Sequence, residues 1–395
     1  MHEEHVVKKS LIAAVASAAL LASSLAAGPA AAHGRGSPSV VAGTPVTVAS
    51  GLFSPLGLEV DGHGISYVSQ NFAGVLSKVD RRGTVTQVAS SGDPAVEIAA
   101  PSSYHGTVYY AQVASDHSSA YLMAKRGNAA PRQLGNLQRH EATKNPDGKN
   151  TYGFVGLPKS CADQFTPQSP IPPTSKGIVD TNPYASLALP TGVYVADAGA
   201  NAIVKVGYNG KVSTTAVLPP TDPIIVSAEL AAAQGLPACV AGFPYTFEPV
   251  PTDVELGRDG WLYVSTLPGG PEDPSLGARG GVYKVNPWNG KVVKVATGFG
   301  GATGLAVSWV TGNVYVAELF GNGGTGRVSV LTPGSKTPKQ LAALAAPAAI
   351  ELRANKLYVT TETFGPTGPA PTAKLTVVPL KLQGKWKGLT EDSTQ

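Results

Sequence analysis

Residues 251–270, PTDVELGRDGWLYVSTLPGG, alternate polar and apolar side chains as far as Leu256, break at Gly257–Gly260, and resume the alternation from Trp261. A period of two on either side of a Gly-containing turn is the pattern of an antiparallel hairpin. The pattern returns at 57–70 (GLEVDGHGISYVSQ), 95–113 (AVEIAAPSSYHGTVYYAQV), 185–198 (ASLALPTGVYVADA), 304–319 (GLAVSWVTGNVYVAEL) and 349–362 (AIELRANKLYVTTE). Six copies mark a repeat architecture rather than a lone hairpin. Each copy carries a Tyr in its second strand, at Tyr67, Tyr109, Tyr194, Tyr263, Tyr315 and Tyr358, beside residues that favour a pleated surface.

A third apolar strand follows each hairpin, from GVLSKV at 74 to AKLTVV at 373, and a fourth follows five of them. The sixth copy runs out into a polar tail. Its missing strand is supplied by residues 44–52, TPVTVASGL, which resemble the fourth strands VTQVAS and VKVATGF. The expected fold is therefore an all-β, six-bladed β-propeller of four-stranded blades, closed by the N-terminal strand 44–52 completing the C-terminal blade. Closure of this kind removes the exposed edges an open array would present.

Composition agrees. Hydrophobic residues make up 43% and charged residues only 14%, against the ~25% usual for a soluble domain. With 46 Gly and 33 Pro the chain is rich in turns. The formal charge of +4 is spread along the sequence without a Lys/Arg run, which argues against nucleic acid as a partner. Lys8 and Lys9 precede the apolar run LIAAVASAALLASSLAA, which ends in GPAAAHG; this reads as a secretory signal peptide over 1–32, cleaved after Ala32. The expected protein is secreted, with no membrane span in the mature chain, and monomeric. A flexible linker is expected at 33–43, the propeller at 44–383 and a polar tail at 384–395. In an exported chain the two cysteines, Cys161 and Cys239, are expected to form a disulfide.

Two insertions interrupt the repeat, at about 138–180 and 219–248, the second holding one helical stretch, IVSAELAAAQ. Both fall between the last strand of one blade and the first of the next, so both cap one face. Cys161 lies in the first and Cys239 in the second, which bridges the caps across blade 3.

The stretches PTDVELGRDGWLYVSTLPGGPED (251–273), TYGF (151–154), VDTNPYA (179–185) with GVYVADAGANAIVKV (192–206), and ATGLAV (302–307) resemble the exported propellers of the ScyD/ScyE type, relatives of NHL-repeat and lactonase-like propellers. The resemblance runs from about residue 44 to 380. It implies a six-bladed exported propeller and brings no catalytic residues with it.

Candidate functional residues gather on the capped face. Three residues after each repeat Tyr stands a polar side chain: Gln70, Gln112, Asp197, Thr266, Glu318 and Thr361. They form a ring suited to a ligand, or else bond loop backbone within their own blades. At the channel mouth Asp93, Asp180, Asn182 and Asp253 offer oxygens for a hard cation such as Ca2+, with Asp93, Asn182 and Asp253 as the metal set, although Asp93 and Asn182 each precede Pro, a common turn device. Glu59, Glu97, Glu255 and Glu351 recur late in the first strand of four blades and are expected to be structural. Phe72, Phe320 and Phe364 fall in the loops between strands two and three of blades 1, 5 and 6 and would line a cleft for a hydrophobic or aromatic ligand. Trp261 and Trp309 lie off the capped face, as do His63 and His105 in turns between strands one and two, leaving His117 and His140 on it. No G-x-S-x-G or H-E-x-x-H motif is present.

Three functions stay open. The chain binds a small molecule, glycan or extracellular protein without catalysis; or it is a metal-dependent lactonase or lyase with an ion at the channel mouth; or it is an extracellular scaffold.

Overall fold

The computed structural model describes residues 39–271, 274–321, 325–364 and 368–383; the expected signal peptide and polar tail lie outside the described residues. The hairpin at 251–270 forms as Pro251–Leu256 and Leu262–Thr266, with Glu255 opposite Tyr263. Gly280–Val285 and Val292–Phe299 complete its sheet, blade 4. The same order of four consecutive antiparallel strands builds the sheets that begin at Pro55 (blade 1), Val96 (blade 2), Pro183 (blade 3) and Ala302 (blade 5). Blade 6 begins at Ile350. The first strands touch one another in cyclic order, blade 6 meeting blade 1, so the sheets close into a propeller around a central channel.

The core is divided accordingly. Separate hydrophobic clusters fill the gaps between successive blades. Leu76, Ile98 and Tyr110 lie between blades 1 and 2, and Leu58, Val68 and Leu375 between blades 1 and 6. Close approach of blades 1 and 2 depends on Gly57, where a Cβ would stand 2.5 Å from both the Pro101 ring and the Ser69 hydroxyl. Bulges near the start of the first strand in blades 1, 3, 4 and 5 bend each one at the channel rim.

Ring closure follows the expectation: Val46–Leu52 pairs with the first half of the 11-residue strand Ala373–Gln383. The expected linker is corrected in part. Ser39–Ala42 is a strand that pairs with Leu380–Gln383, because that long strand runs past the end of its blade and leaves an edge which the β-branched SVVA sequence covers. Residues 33–38 lie outside the described residues.

The two insertions do more than cap. Thr151–Phe154 pairs with Thr174–Lys176 on one side and Pro244–Thr246 on the other, and Ile224–Ile225 adds to the latter, giving a separate four-stranded sheet drawn from both insertions. The Cys161–Cys239 disulfide joins them, with Cα atoms 5.8 Å apart, over a small core of Phe154, Val226, Ala231 and Val240. The expected helix forms as Ala228–Ala233, capped by the Ser227 side chain on the Leu230 amide. A second helix, Leu137–Lys144, is capped by Asn136 on the Arg139 amide. Its polar sequence, LQRHEATK, has no apolar stripe to announce it.

Candidate functional site

On the capped face, five of the six side chains of the polar ring are engaged by donors and acceptors in or beside their own blades. Glu318 is fully buried; Arg327 donates to it through Nε (2.8 Å) and Nη2 (2.9 Å), the Gly300 amide at 2.6 Å, and Ser329 through its hydroxyl. Asp197, 1% exposed, accepts from Thr181 Oγ1 and the Asn182 amide at 2.7 Å and from the Ala200 amide at 3.2 Å. Burial raises its carboxyl above the usual range despite these donors. Gln70 bridges the Phe53 amide and Ser77, Thr266 bonds the Gly281 backbone, and Thr361 bonds Thr376. Gln112 is half-buried. Phe72, Phe320 and Phe364 are likewise half-buried rather than exposed, and the Phe320 ring packs over Gly301, occupying the space of a Cβ there.

Both carboxylates proposed for a metal have separate employment. Asp93 is exposed and accepts from the Ala95 amide in its own turn, and Asp253 accepts from the amides of Val254 and Leu305, both at 2.8 Å, while Asn182 holds its turn through its backbone, its carbonyl accepting from the Ala198 amide. Among the described residues no group of three or more His, Cys, Asp or Glu is placed to hold a metal. The arrangement does not fit a divalent ion at the channel mouth. Asp180 instead bonds His117 Nδ1 at 2.7 Å, which raises the imidazole pKa, with Glu97 and Asp197 adding to the effect. His140 bonds Thr214 on the outer strand of blade 3, and burial lowers its pKa.

Towards the opposite face the channel is acidic. Between Gly57, Pro101, Ser186, Thr252, Thr303 and Ile350 it narrows to a cavity of about 10 Å³, room for one water. Glu59, Glu255 and Glu351 project beyond this neck, each opposite its repeat Tyr. Burial pushes Glu59 and Asp253 up to about 7. Burial and then repulsion from neighbouring carboxylates, Asp253 and Glu59 for Glu255, and Glu255, Glu59 and Asp253 for Glu351, hold both well above the usual carboxylate range. Glu97 does not belong to this set. The first strand of blade 2 carries a bulge between Ala99 and Ser102, so Ser102 faces Tyr109 and Glu97 faces Val113 at the other end. Counting back from each Tyr would have shown it, since Glu97 stands farther from Tyr109 than Glu59 does from Tyr67.

The acidic channel opens beside a groove of about 440 Å³ between blades 1 and 2, lined by Glu59, His63, Tyr67, Tyr104, His105 and Arg353 among others. Asp61 folds the first turn by accepting from the His63 and Ile65 amides. Arg353 reaches across from blade 6 to the Gly62 carbonyl (2.9 Å), and Arg81 to the His63 carbonyl (2.6 Å). On the far wall Tyr104 stacks on Tyr208 with centroids 6.3 Å apart and meets His105 edge-on. Ser103 donates to Glu59 Oε1 at 2.5 Å, tying the two walls. The groove thus joins a carboxyl titrating near neutrality, two imidazoles, two phenols and a guanidinium. The sequence signal was present, because DGHG and YHG place His63 and His105 in equivalent turns of neighbouring blades.

The sequence matches no protein-family model and no curated protein. Solved structures do resemble it. The PQQ-bound aldose sugar dehydrogenase of Streptomyces coelicolor aligns with TM-score 0.54 and 15% identity, over 87% of this chain and 99% of that one. A gluconolactonase of Xanthomonas campestris aligns with TM-score 0.50 and 10% identity, over 85% and 89%. At such identities the likeness concerns the fold alone, and by that likeness and its own sheet order the chain is a β-propeller.

Proposed function

We propose that this chain is an exported, ligand-binding propeller of the ScyD/ScyE kind, and that its ligand is a small polyhydroxylated molecule held in the groove between blades 1 and 2. The observation that carries this is the groove itself: about 440 Å³, within the range of small-molecule sites, with Glu59 at its base. Hydroxyls match the alternating acceptors and donors there, and the Tyr104 ring offers an apolar face. The signal-peptide pattern and the disulfide support export. The proposal moves the site from the capped face to the opposite one, since the capped-face side chains are engaged in holding their own blades.

Titration calorimetry with a panel of monosaccharides, sugar acids and sugar lactones tests this. Glu59→Gln should weaken the best ligand by roughly tenfold or more, the worth of a hydrogen bond to a charged group. Affinity unchanged in Glu59→Gln and in Tyr104→Ala would reject the groove. One observation favours a second, enzymatic reading. A carboxyl pushed up to about 7 beside His63 and His105 suits general acid–base work, and turnover of a sugar lactone abolished by Glu59→Gln would establish it.

A further inference from the structure

Many of the cations scattered in sequence stand on one face in space. In a propeller the turns joining strands one to two and three to four all emerge on one face, here the face opposite the cap. Arg81, Arg82, Lys211, Arg258, Lys291 and Lys336 all stand in such turns and all are exposed. Arg126, Arg132, Arg353 and Lys356, also exposed, flank two more turns on that face. The acids of these turns are few and occupied: Asp61 and Asp80 fold their own turns, and Asp259 pairs with Lys284.

Exposed indoles occupy the same face. Trp288, 81% exposed, sits in the outer turn of blade 4, and Trp309 (59%) with Val310 (54%) in the inner turn of blade 5. Arg258 bonds the Val310 carbonyl at 3.3 Å and Lys336 the Val295 carbonyl at 2.8 Å, so cations of blades 4 and 5 are interleaved with these apolar side chains. Lys291 shares the Trp288 turn. A bare polyanion would explain the cations but not two indoles and a valine held in water. An interface with an apolar layer beneath anionic headgroups explains both, because Trp favours the headgroup level and Lys and Arg are drawn to the surface charge.

We propose that the turns of blades 4 and 5 dock this propeller peripherally on an anionic lipid surface. No helix among the described residues is long and apolar enough to cross a membrane. Blades 4 and 5 lie across the ring from blades 1 and 2, and docking by their edge leaves the groove open. The inference does not depend on what the groove binds.

The test is co-sedimentation of the full chain with phosphatidylcholine vesicles, with and without phosphatidylglycerol. Binding is expected only with phosphatidylglycerol, falling steeply with added salt and accompanied by a blue shift of Trp emission. Each cation removed in Lys291→Gln or Lys336→Gln should weaken it about fivefold. The Trp288→Ser, Trp309→Ser double variant should lose the blue shift and most of the affinity. Lys144→Gln with Lys149→Gln, on the capped face, should change nothing. These are exposed positions, and an unchanged thermal melt verifies folding. The proposal is overturned by equal binding to both vesicle types, by equal losses in the capped-face variant, or by binding that survives removal of both indoles, which would mark a site for soluble polyanions instead.

Discussion

Replacing Glu141 by Gln should stabilise this protein above neutral pH and do nothing for it in acid. Glu141 projects from the helix Leu137–Lys144 and is 1% exposed, yet no side chain donates to either carboxyl oxygen. Its neighbours are Asp197, Asp147 and Asp180. The Asp180 backbone favours the anion slightly, but burial and then the three like charges push the carboxyl up to about 8. An unfolded Glu titrates near about 4.3. Between these values the folded state holds a proton that the unfolded state has released, so stability falls as pH rises across the window. At about 1.4 kcal/mol per unit, the full effect is on the order of 5 kcal/mol once both states are ionised. Gln cannot ionise, and its amide can donate to the surrounding carboxylates. Urea unfolding of both proteins at about pH 4 and about pH 9 reads this directly. The expected result is equal midpoints in acid and a higher midpoint for the variant in base. A variant weaker by the same amount at both pH values would show that Glu141 is a stabilised anion, and the reasoning would fail.

Two further outcomes follow from the capped face. Arg327→Met strands the buried Glu318 carboxylate and should cost about 3–5 kcal/mol in urea unfolding, with much of it restored in the Arg327→Met, Glu318→Met double variant; a loss below about 1 kcal/mol would return Glu318 to the candidate ligand ring. Replacing Cys161 and Cys239 by Ser opens a link spanning 78 residues and should cost about 4 kcal/mol by chain entropy. Faster amide exchange should be confined to the cap strands Thr151–Phe154 and Pro244–Thr246, and equal acceleration in the blades would show that the bridge supports the ring as well.

The repeat Tyr was a sound ruler for the blades because strand pairing is local: Glu59, Glu255 and Glu351 each face their Tyr across a short hairpin. Applied to Glu97 the same ruler sets it apart, because it stands farther from Tyr109 than Glu59 does from Tyr67, with the bulge at Ala99–Ser102 lying between. The cap sheet, by contrast, was invisible. Its strands are two to four residues long, too short for a period to show, and its central pair, Gly153 with Thr246, joins residues nearly a hundred positions apart.

By itself the sequence determined the propeller, its closure by Val46–Leu52 and the pairing of its two cysteines, since each rests on pattern or on chemistry that only one partner can satisfy. The tertiary structure alone decided which candidate side chains are spent on the fold and which face water. Polar residues such as Asp197 and Glu318 found their donors one strand or one turn away. The cations of the turns joining strands one to two and three to four were brought to one face, because antiparallel strands return every second turn to the same side of the ring.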